Sequence, residues 1–191
     1  MDRICVLAGS NDGARESYLI AARELGAEIA RRGHALVYGG AAFGLMGACA
    51  DAALAGGAEV VGVLPRALTT REIAHTGLTE MRIVGSLHER KAVMSALSDA
   101  VVALPGGCGT MDELFEAITW GQLGLHAKPI GILDVDAYYA PLLAFIDHMN
   151  TEGFVRPPLR IIRAHTAREL LDQLLGAPPA TISPPGPRPR P

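Results

Sequence analysis

The sequence predicts an α/β fold, a doubly wound and mostly parallel sheet with helices on both faces. Three observations predict it. Short β-branched runs alternate with segments whose apolar residues recur at helical spacing. Glycine clusters at 9, 39–40 and 106–109 each follow one of those runs. The composition is aliphatic, with 49% apolar, 19% charged and only 5% aromatic residues, as suits strands covered on both faces.

Ile4–Ala8 reads as a buried strand ending at Gly9-Ser10. Ala14–Arg32 follows as a helix, with Tyr18, Ala21, Leu25 and Ile29 on one face and Gly33 as its stop. Ala35–Tyr38 is a second strand and runs into Gly39-Gly40. Leu45–Ala55 is helical, closed by Gly56-Gly57. Glu59–Leu64 is a third strand, cut off by Pro65. Residues 65–79 read as a loop carrying Arg66, Arg71, Glu72 and His75. Met81–Val84 is a short strand, Leu87–Ser98 a helix and Ala100–Leu104 a strongly apolar strand. The Pro105–Gly109 loop leads into a helix over Met111–Leu123. Pro129–Leu133 and residues 160–163 supply the last strands, with helices over Tyr138–Asn150 and Thr166–Leu175. Right-handed crossovers between parallel strands place a ligand crevice beyond the strands' carboxyl ends, the Rossmann-like arrangement. The three glycine clusters then share one sheet edge. Residues 1–176 are expected as one domain. Ala177–Pro191, with seven of the thirteen prolines, is expected as a loose extension.

A net charge of −3 argues against nucleic acid as a partner, because duplex binders carry a basic excess. No apolar run approaches the roughly 18 residues of a membrane span, and Met1–Leu7 is too short an apolar start for a signal peptide. Cys5, Cys49 and Cys108 are few, odd in number and unlike any metal-ligand spacing. They are expected as reduced thiols in a cytoplasmic protein.

The sharpest local signal is Leu104-Pro105-Gly106-Gly107-Cys108-Gly109-Thr110-Met111-Asp112-Glu113. A buried strand feeds a glycine-rich turn, and a helix opens at its end. Backbone N–H groups in such a turn converge on one oxyanion, and the helix dipole adds partial positive charge. A Cβ would block close phosphate approach there. Taken alone, Thr110-Met111-Asp112-Glu113 also fits a capping box in which Glu113 only closes the helix start. Three glycines in four positions exceed what a plain strand-to-helix turn needs. Gly39-Gly40-Ala41-Ala42-Phe43-Gly44-Leu45-Met46-Gly47 is a second such turn. It is not G-x-G-x-x-G, and no acidic residue ends the Ala35–Tyr38 strand, so NAD is a poor fit. Gly9-Ser10-Asn11 is a third polar turn, suited equally to ligand contact and to helix capping. In His88-Glu89-Arg90-Lys91, two cations sit near a helix start that prefers acids. A bound phosphate would relieve that mismatch, although the tetrapeptide alone reads more simply as a solvated turn.

Together, His88-Glu89-Arg90-Lys91 and Pro105–Glu113 resemble the signature pair of the LOG ("Lonely guy") family, the cytokinin riboside 5′-monophosphate phosphoribohydrolases long mislabelled as lysine decarboxylases. Tyr38-Gly39-Gly40, Gly44-Leu45-Met46-Gly47, Gly62-Val63-Leu64-Pro65, Arg71-Glu72-Ile73 and Ala117-Ile118-Thr119-Trp120 add to the resemblance, which covers about residues 4–155. Cys108 stands where tyrosine is common in that family, and Asp112 where glutamate is common. The resemblance implies hydrolysis of an N6-substituted adenosine 5′-monophosphate to free base and ribose 5-phosphate, without metal or redox cofactor. It implies Arg90 and Glu113 as the catalytic residues, with Glu113 beside the anomeric carbon. Gly107, Gly109 and Thr110 are expected to hold the 5′-phosphate and Lys91 to neutralise charge. Gly106, Cys108, Met111 and Asp112 complete that stretch of the site. Glu80 and Thr119 are implied at the ligand, and Gly9, Ser10 and Gly40 join from the other glycine turns. A homodimer is implied, which the 87–98 and 111–123 helices would serve, although core packing explains their apolar residues equally well. Three other readings remain. One is a general purine nucleoside 5′-monophosphate nucleosidase. Another is a non-catalytic nucleotide carrier or sensor. The third is a pyridoxal-phosphate decarboxylase, which would need Lys91 or Lys128, the two lysines present.

Overall fold

The computed structural model describes residues 2–69, 74–155 and 161–176. In chain order the elements are β1 (Arg3–Leu7), α1 (Glu16–Arg31), β2 (Ala35–Tyr38), α2 (Gly44–Ala55), β3 (Val60–Pro65), α3 (Arg66–Thr69) and β4 (Glu80–Val84). They continue with α4 (Leu87–Leu97), β5 (Ala100–Ala103), α5 (Cys108–Gln122) and β6 (Ile130–Leu133). A 3-10 turn at Val135–Ala137 leads to α6 (Ala140–Thr151), β7 (Ile161–Ala164) and α7 (Ala167–Gly176). The strands form one sheet in the order β4-β3-β2-β1-β5-β6-β7, and every pairing is parallel. The expected mostly parallel sheet is therefore parallel throughout. Chain order reverses between β1 and β5, which makes their carboxyl ends the topological switch point.

Alternation along each strand assigns the two faces. Ile4 and Val6 of β1, Leu36 and Tyr38 of β2, and Val102 of β5 pack with α1, α2 and α7. Cys5, Leu7, Val37, Val101 and Ala103 point to the other layer, against α4, α5 and α6. Both faces are covered, so the central strands read as unbroken apolar runs. Burial pushes the thiols of Cys5 and Cys49 up to about 12, which makes them packing groups. Cys108 is free and exposed.

The structure shifts several expected boundaries. The loop expected at 65–79 opens with the short helix α3, and Pro65 is the last residue of β3 rather than its stop. The helix expected from Tyr138 starts at Ala140, because the Asp134 carboxylate accepts the Tyr139 N–H at 2.8 Å and holds the chain in a turn. The helix expected from Met111 starts three residues earlier, at Cys108. Among the described residues, no helix is long and apolar enough to cross a membrane. The Pro-rich stretch expected at 177–191 and the Arg71-Glu72-Ile73 motif lie outside the described residues.

α1 packs closely on α2 at Gly26. A Cβ built there would lie 2.1 Å from the Cys49 carbonyl oxygen and 3.0 Å from the Ala53 nitrogen. Alanine in place of a helical glycine ordinarily adds about 0.5–1 kcal/mol. Here the two backbones would have to separate, and overpacking of that kind costs about 1–3 kcal/mol. Gly26→Ala is therefore expected to lower the unfolding free energy in urea titrations, against its helix propensity.

Candidate active site

Three backbone bends meet beyond the carboxyl ends of β1, β2 and β5. The Gly9 N–H donates to the Pro105 carbonyl at 3.0 Å, and the Met46 N–H donates to the Gly9 carbonyl at 3.3 Å. Main chain therefore packs on main chain at the switch point. A Cβ on Gly106 would fall 2.0 Å from Thr110 Oγ1 and 2.9 Å from the Gly9 nitrogen, so no larger residue fits there. These bends enclose a cleft of about 620 Å³. Gly9, Ser10 and Asn11 form one wall, and Pro105 through Thr110 form another. Met46, Leu64 and Leu68 supply an apolar side. A larger trough of about 1020 Å³ lies between α1 and α2, floored by Ala27, Ala48 and Ala52. It holds none of the predicted site residues and lies apart from the switch point, so the smaller cleft is the candidate site.

Arg90 and Glu113 line that cleft together. Arg90 comes from the first turn of α4 and Glu113 from the second turn of α5. Arg90 Nη1 lies 2.8 Å from Glu113 Oε1, with side chains only 12% and 11% exposed. Arg90 Nε also donates to the Val63 carbonyl at 3.1 Å, which anchors the guanidinium on β3. Its second terminal nitrogen occupies the space a side chain at residue 39 would need, 1.7 Å from a Cβ built on Gly39. Burial pushes the Glu113 carboxyl above its ordinary value of 4.5, and the Arg90 guanidinium pulls it back down. The net shift is upward, so Arg90 offsets only part of the effect of burial.

α5 begins at Cys108 with Gly107 as its N-cap and no side-chain cap. Thr110 lies inside the helix, so the capping-box reading of Thr110-Met111-Asp112-Glu113 does not hold. The Glu113 carboxylate meets Arg90 instead. The first N–H groups of the helix lack intrahelical acceptors, and Gly107, Cys108, Gly109 and Thr110 line the cleft where those groups lie. Thr110 is almost fully buried there.

The remaining candidates divide. Gly9, Ser10 and Gly106 line the cleft. Gly40 does not, although its neighbour Gly39 does. Its carbonyl accepts the His75 N–H at 3.0 Å, which ties down residues 74–75. Lys91 turns from the cleft toward protein carboxylates, 2.9 Å from Asp112 Oδ2 and 3.1 Å from Glu116 Oε2. Burial lowers its pKa, but those two bonds outweigh burial and the net shift is upward. The cationic helix start is thus balanced by α5 carboxylates rather than needing a phosphate. Ser86 also caps α4, accepting the Glu89 N–H at 3.1 Å. Met111, Asp112 and Thr119 lie on the outer side of α5, beside Phe115 and Trp120. Glu80 opens β4 at the amino edge of the sheet and pairs with Arg82 at 2.6 Å. Four strand steps, about 13 Å, separate it from the carboxyl ends. Tyr18 and Tyr138 line the cleft and were not predicted. For Tyr138 the available signal was a tandem tyrosine in the turn that follows a strand, in an aromatic-poor chain.

With this geometry in place, sequence relatives decide the family. A profile described as "Possible lysine decarboxylase" matches residues 46–174. The cytokinin riboside 5′-monophosphate phosphoribohydrolase LOG of Oryza sativa subsp. japonica is 51% identical over 174 residues, 90% of this chain and 72% of that one. LOG3 of Arabidopsis thaliana, with the same description, is 49% identical over 174 residues, covering 90% and 81%. The chain belongs to this phosphoribohydrolase family. Among solved structures, the molybdenum cofactor carrier protein of Chlamydomonas reinhardtii matches with a TM-score of 0.71 at 23% identity, over 92% of this chain and 99% of that one. The molybdenum cofactor binding protein of Rippkaea orientalis gives 0.68 at 22% identity, over 92% and 98%. Those two likenesses are of fold.

The profile's description does not fit the lysines of this phosphoribohydrolase-family chain. Lys91 is held by two carboxylates, and Lys128 Nζ donates to the Ser95 carbonyl. Neither lines the cleft, so neither is placed to form a Schiff base with a cofactor there. The Arg90–Glu113 pair gives a direct test. Arg90→Gln leaves burial of Glu113 unopposed by its main cation, so the carboxyl is expected to titrate at higher pH than in the wild type, read from glutamate side-chain carbon NMR. Titration at unchanged or lower pH would contradict this account.

Proposed function

We propose that this chain hydrolyses the N-glycosidic bond of N6-substituted adenosine 5′-monophosphates. Water adds at C1′, and the base departs with a proton, leaving ribose 5-phosphate. The observation that carries the reading is the buried Arg90–Glu113 pair, which shares one cleft with the glycine-rich start of α5. The family supplies the substrate class. The cleft supplies an anion cradle and a carboxylate on neighbouring walls, as a nucleotide cut at its anomeric carbon requires.

The N–H groups at the start of α5 and the Thr110 hydroxyl hold the 5′-phosphate, using the exposed donors and dipole of the helix end. The ribosyl carbon gains positive charge as the base leaves, as in glycoside hydrolysis. The Glu113 carboxylate stabilises that charge and accepts the proton of the attacking water. Arg90 favours the charged form of Glu113 against burial and fixes its position. Lys91 acts one step further back, joining α4 to α5 through Asp112 and Glu116.

Asp112 and Thr119 are exposed, and Met111 beside them packs partly on the core, away from this cleft, so they serve a ligand only if a second copy brings its cleft to them. Leu87, which opens α4, and Leu123, which caps the end of α5, are exposed, and Phe115 and Trp120 are only partly covered. A homodimer through α4 and α5 accounts for both features. Leu123→Glu is expected to shift sedimentation toward the monomer while leaving circular dichroism unchanged.

The decisive assay incubates the protein with AMP, isopentenyladenosine monophosphate, CMP and GMP and identifies the released bases. The N6-substituted nucleotide should be cut fastest. Glu113→Gln should keep nucleotide binding and lose roughly 10²–10⁴-fold in turnover, the usual worth of a positioned base. Wild-type release of ribose 5-phosphate from that variant would end the proposal.

A further inference from the structure

We infer that Tyr138 is a positioning residue of the phosphate cradle: its hydroxyl fixes the peptide plane between Gly106 and Gly107. The inference rests on the phosphoribohydrolase reading above and adds to it a residue outside the glycine motif. Tyr138 Oη donates to the Gly106 carbonyl at 2.5 Å. In a trans peptide the C=O and the following N–H point in opposite directions. A donor that holds the Gly106 carbonyl therefore aims the Gly107 N–H. Both flanking residues are glycines, whose backbones rotate most freely. Without a partner, the plane could turn its carbonyl toward an incoming phosphate.

The neighbouring carbonyls are held in the same way. Tyr139 Oη donates to the Leu104 carbonyl at 2.6 Å, and the Gly9 N–H donates to that of Pro105 at 3.0 Å. Three successive carbonyls entering the cradle are thus each fixed by a donor from another element. For Gly106 the donor is a side chain on the turn after β6.

That turn is strongly constrained. Asp134 is buried, and its carboxylate accepts the Tyr139 N–H at 2.8 Å and Arg163 Nε at 2.8 Å. Asp136 and Ala137 adopt φ of 51° and 57°. Left-handed backbone is uncommon outside glycine and persists where the surroundings over-determine it. Ser17 Oγ donates to Asp136 Oδ2 at 2.6 Å, and Arg15 lies 3.4 Å from the same oxygen. The entry of α1 therefore clasps the turn from across the cleft mouth. The Tyr138 ring meets Tyr18 edge-on at 5.7 Å and Tyr139 at 5.1 Å, so it stays in place without its hydroxyl.

Tyr138→Phe isolates the hydroxyl. Calorimetry should show ribose 5-phosphate binding weakened by about ten-fold, as for loss of one hydrogen bond that orients an anion donor. Adenosine, which lacks the phosphate, should bind as to the wild type. KM for the nucleotide should rise while kcat stays nearly constant. Ser17→Ala, a surface change at the far end of the clasp, should shift ribose 5-phosphate binding in the same direction by less, and it keeps the test open if Tyr138→Phe folds poorly. Unchanged ribose 5-phosphate binding in Tyr138→Phe, or an equal loss for adenosine, overturns the positioning role and leaves the hydrolase reading standing. Failure of the wild type to bind any of the phosphate ligands overturns that reading and this inference with it.

Discussion

The site depends on one ion pair held out of water. Glu113 sits where burial favours its neutral form, and Arg90 offsets that burial at 2.8 Å. Such a pair adds little net stability, because removing two charges from water costs several kcal/mol per ion. Its worth is positional. Arg90 is itself bound to the β3 main chain through Val63, so the carboxylate inherits the rigidity of the sheet. A group that must face a developing cation works best when its orientation is set beforehand.

The pair can reach the cleft only because the sheet reverses its order between β1 and β5. The polypeptide diverges on either side of that seam, and the crevice left between is closed by main-chain contacts among residues 9, 46 and 105. Small residues at the seam follow from those contacts. Gly106 yields to Thr110, and Gly39 yields to the Arg90 guanidinium. Glycines at this seam thus clear space for side chains that arrive from neighbouring helices, a threonine at one position and an arginine at the other.

Helices α4 and α5 carry the Arg90–Glu113 pair on their inner sides and a different surface outside. Lys91 joins them through Asp112 and Glu116, so the pairing that fixes Arg90 opposite Glu113 is reinforced by a second ionic contact one residue along each helix. Residues of one motif therefore diverge in role. Glu113 points into the cleft, whereas Met111 and Asp112 point away. At about 100° per residue, a contiguous stretch of helix cannot present all its members to one ligand.

The parallel αβ layering, the gathering of the glycine turns and the choice of Arg90 and Glu113 as candidates, which the fold brings together as an ion pair, were legible in the sequence. Those features rest on local periodicity, on turn chemistry and on a family signature carried by contiguous residues. The sequence did not show that Glu80 opens its strand at the end away from the cleft, or that Gly40 lies one residue from the cleft wall. It overlooked Tyr138, whose importance comes from a carbonyl 32 positions earlier in the chain. Only the tertiary structure decided these, because which end of a strand faces the crevice, which side of a helix turns inward and which hydroxyl meets a distant carbonyl follow from packing between elements, and no local pattern encodes that packing.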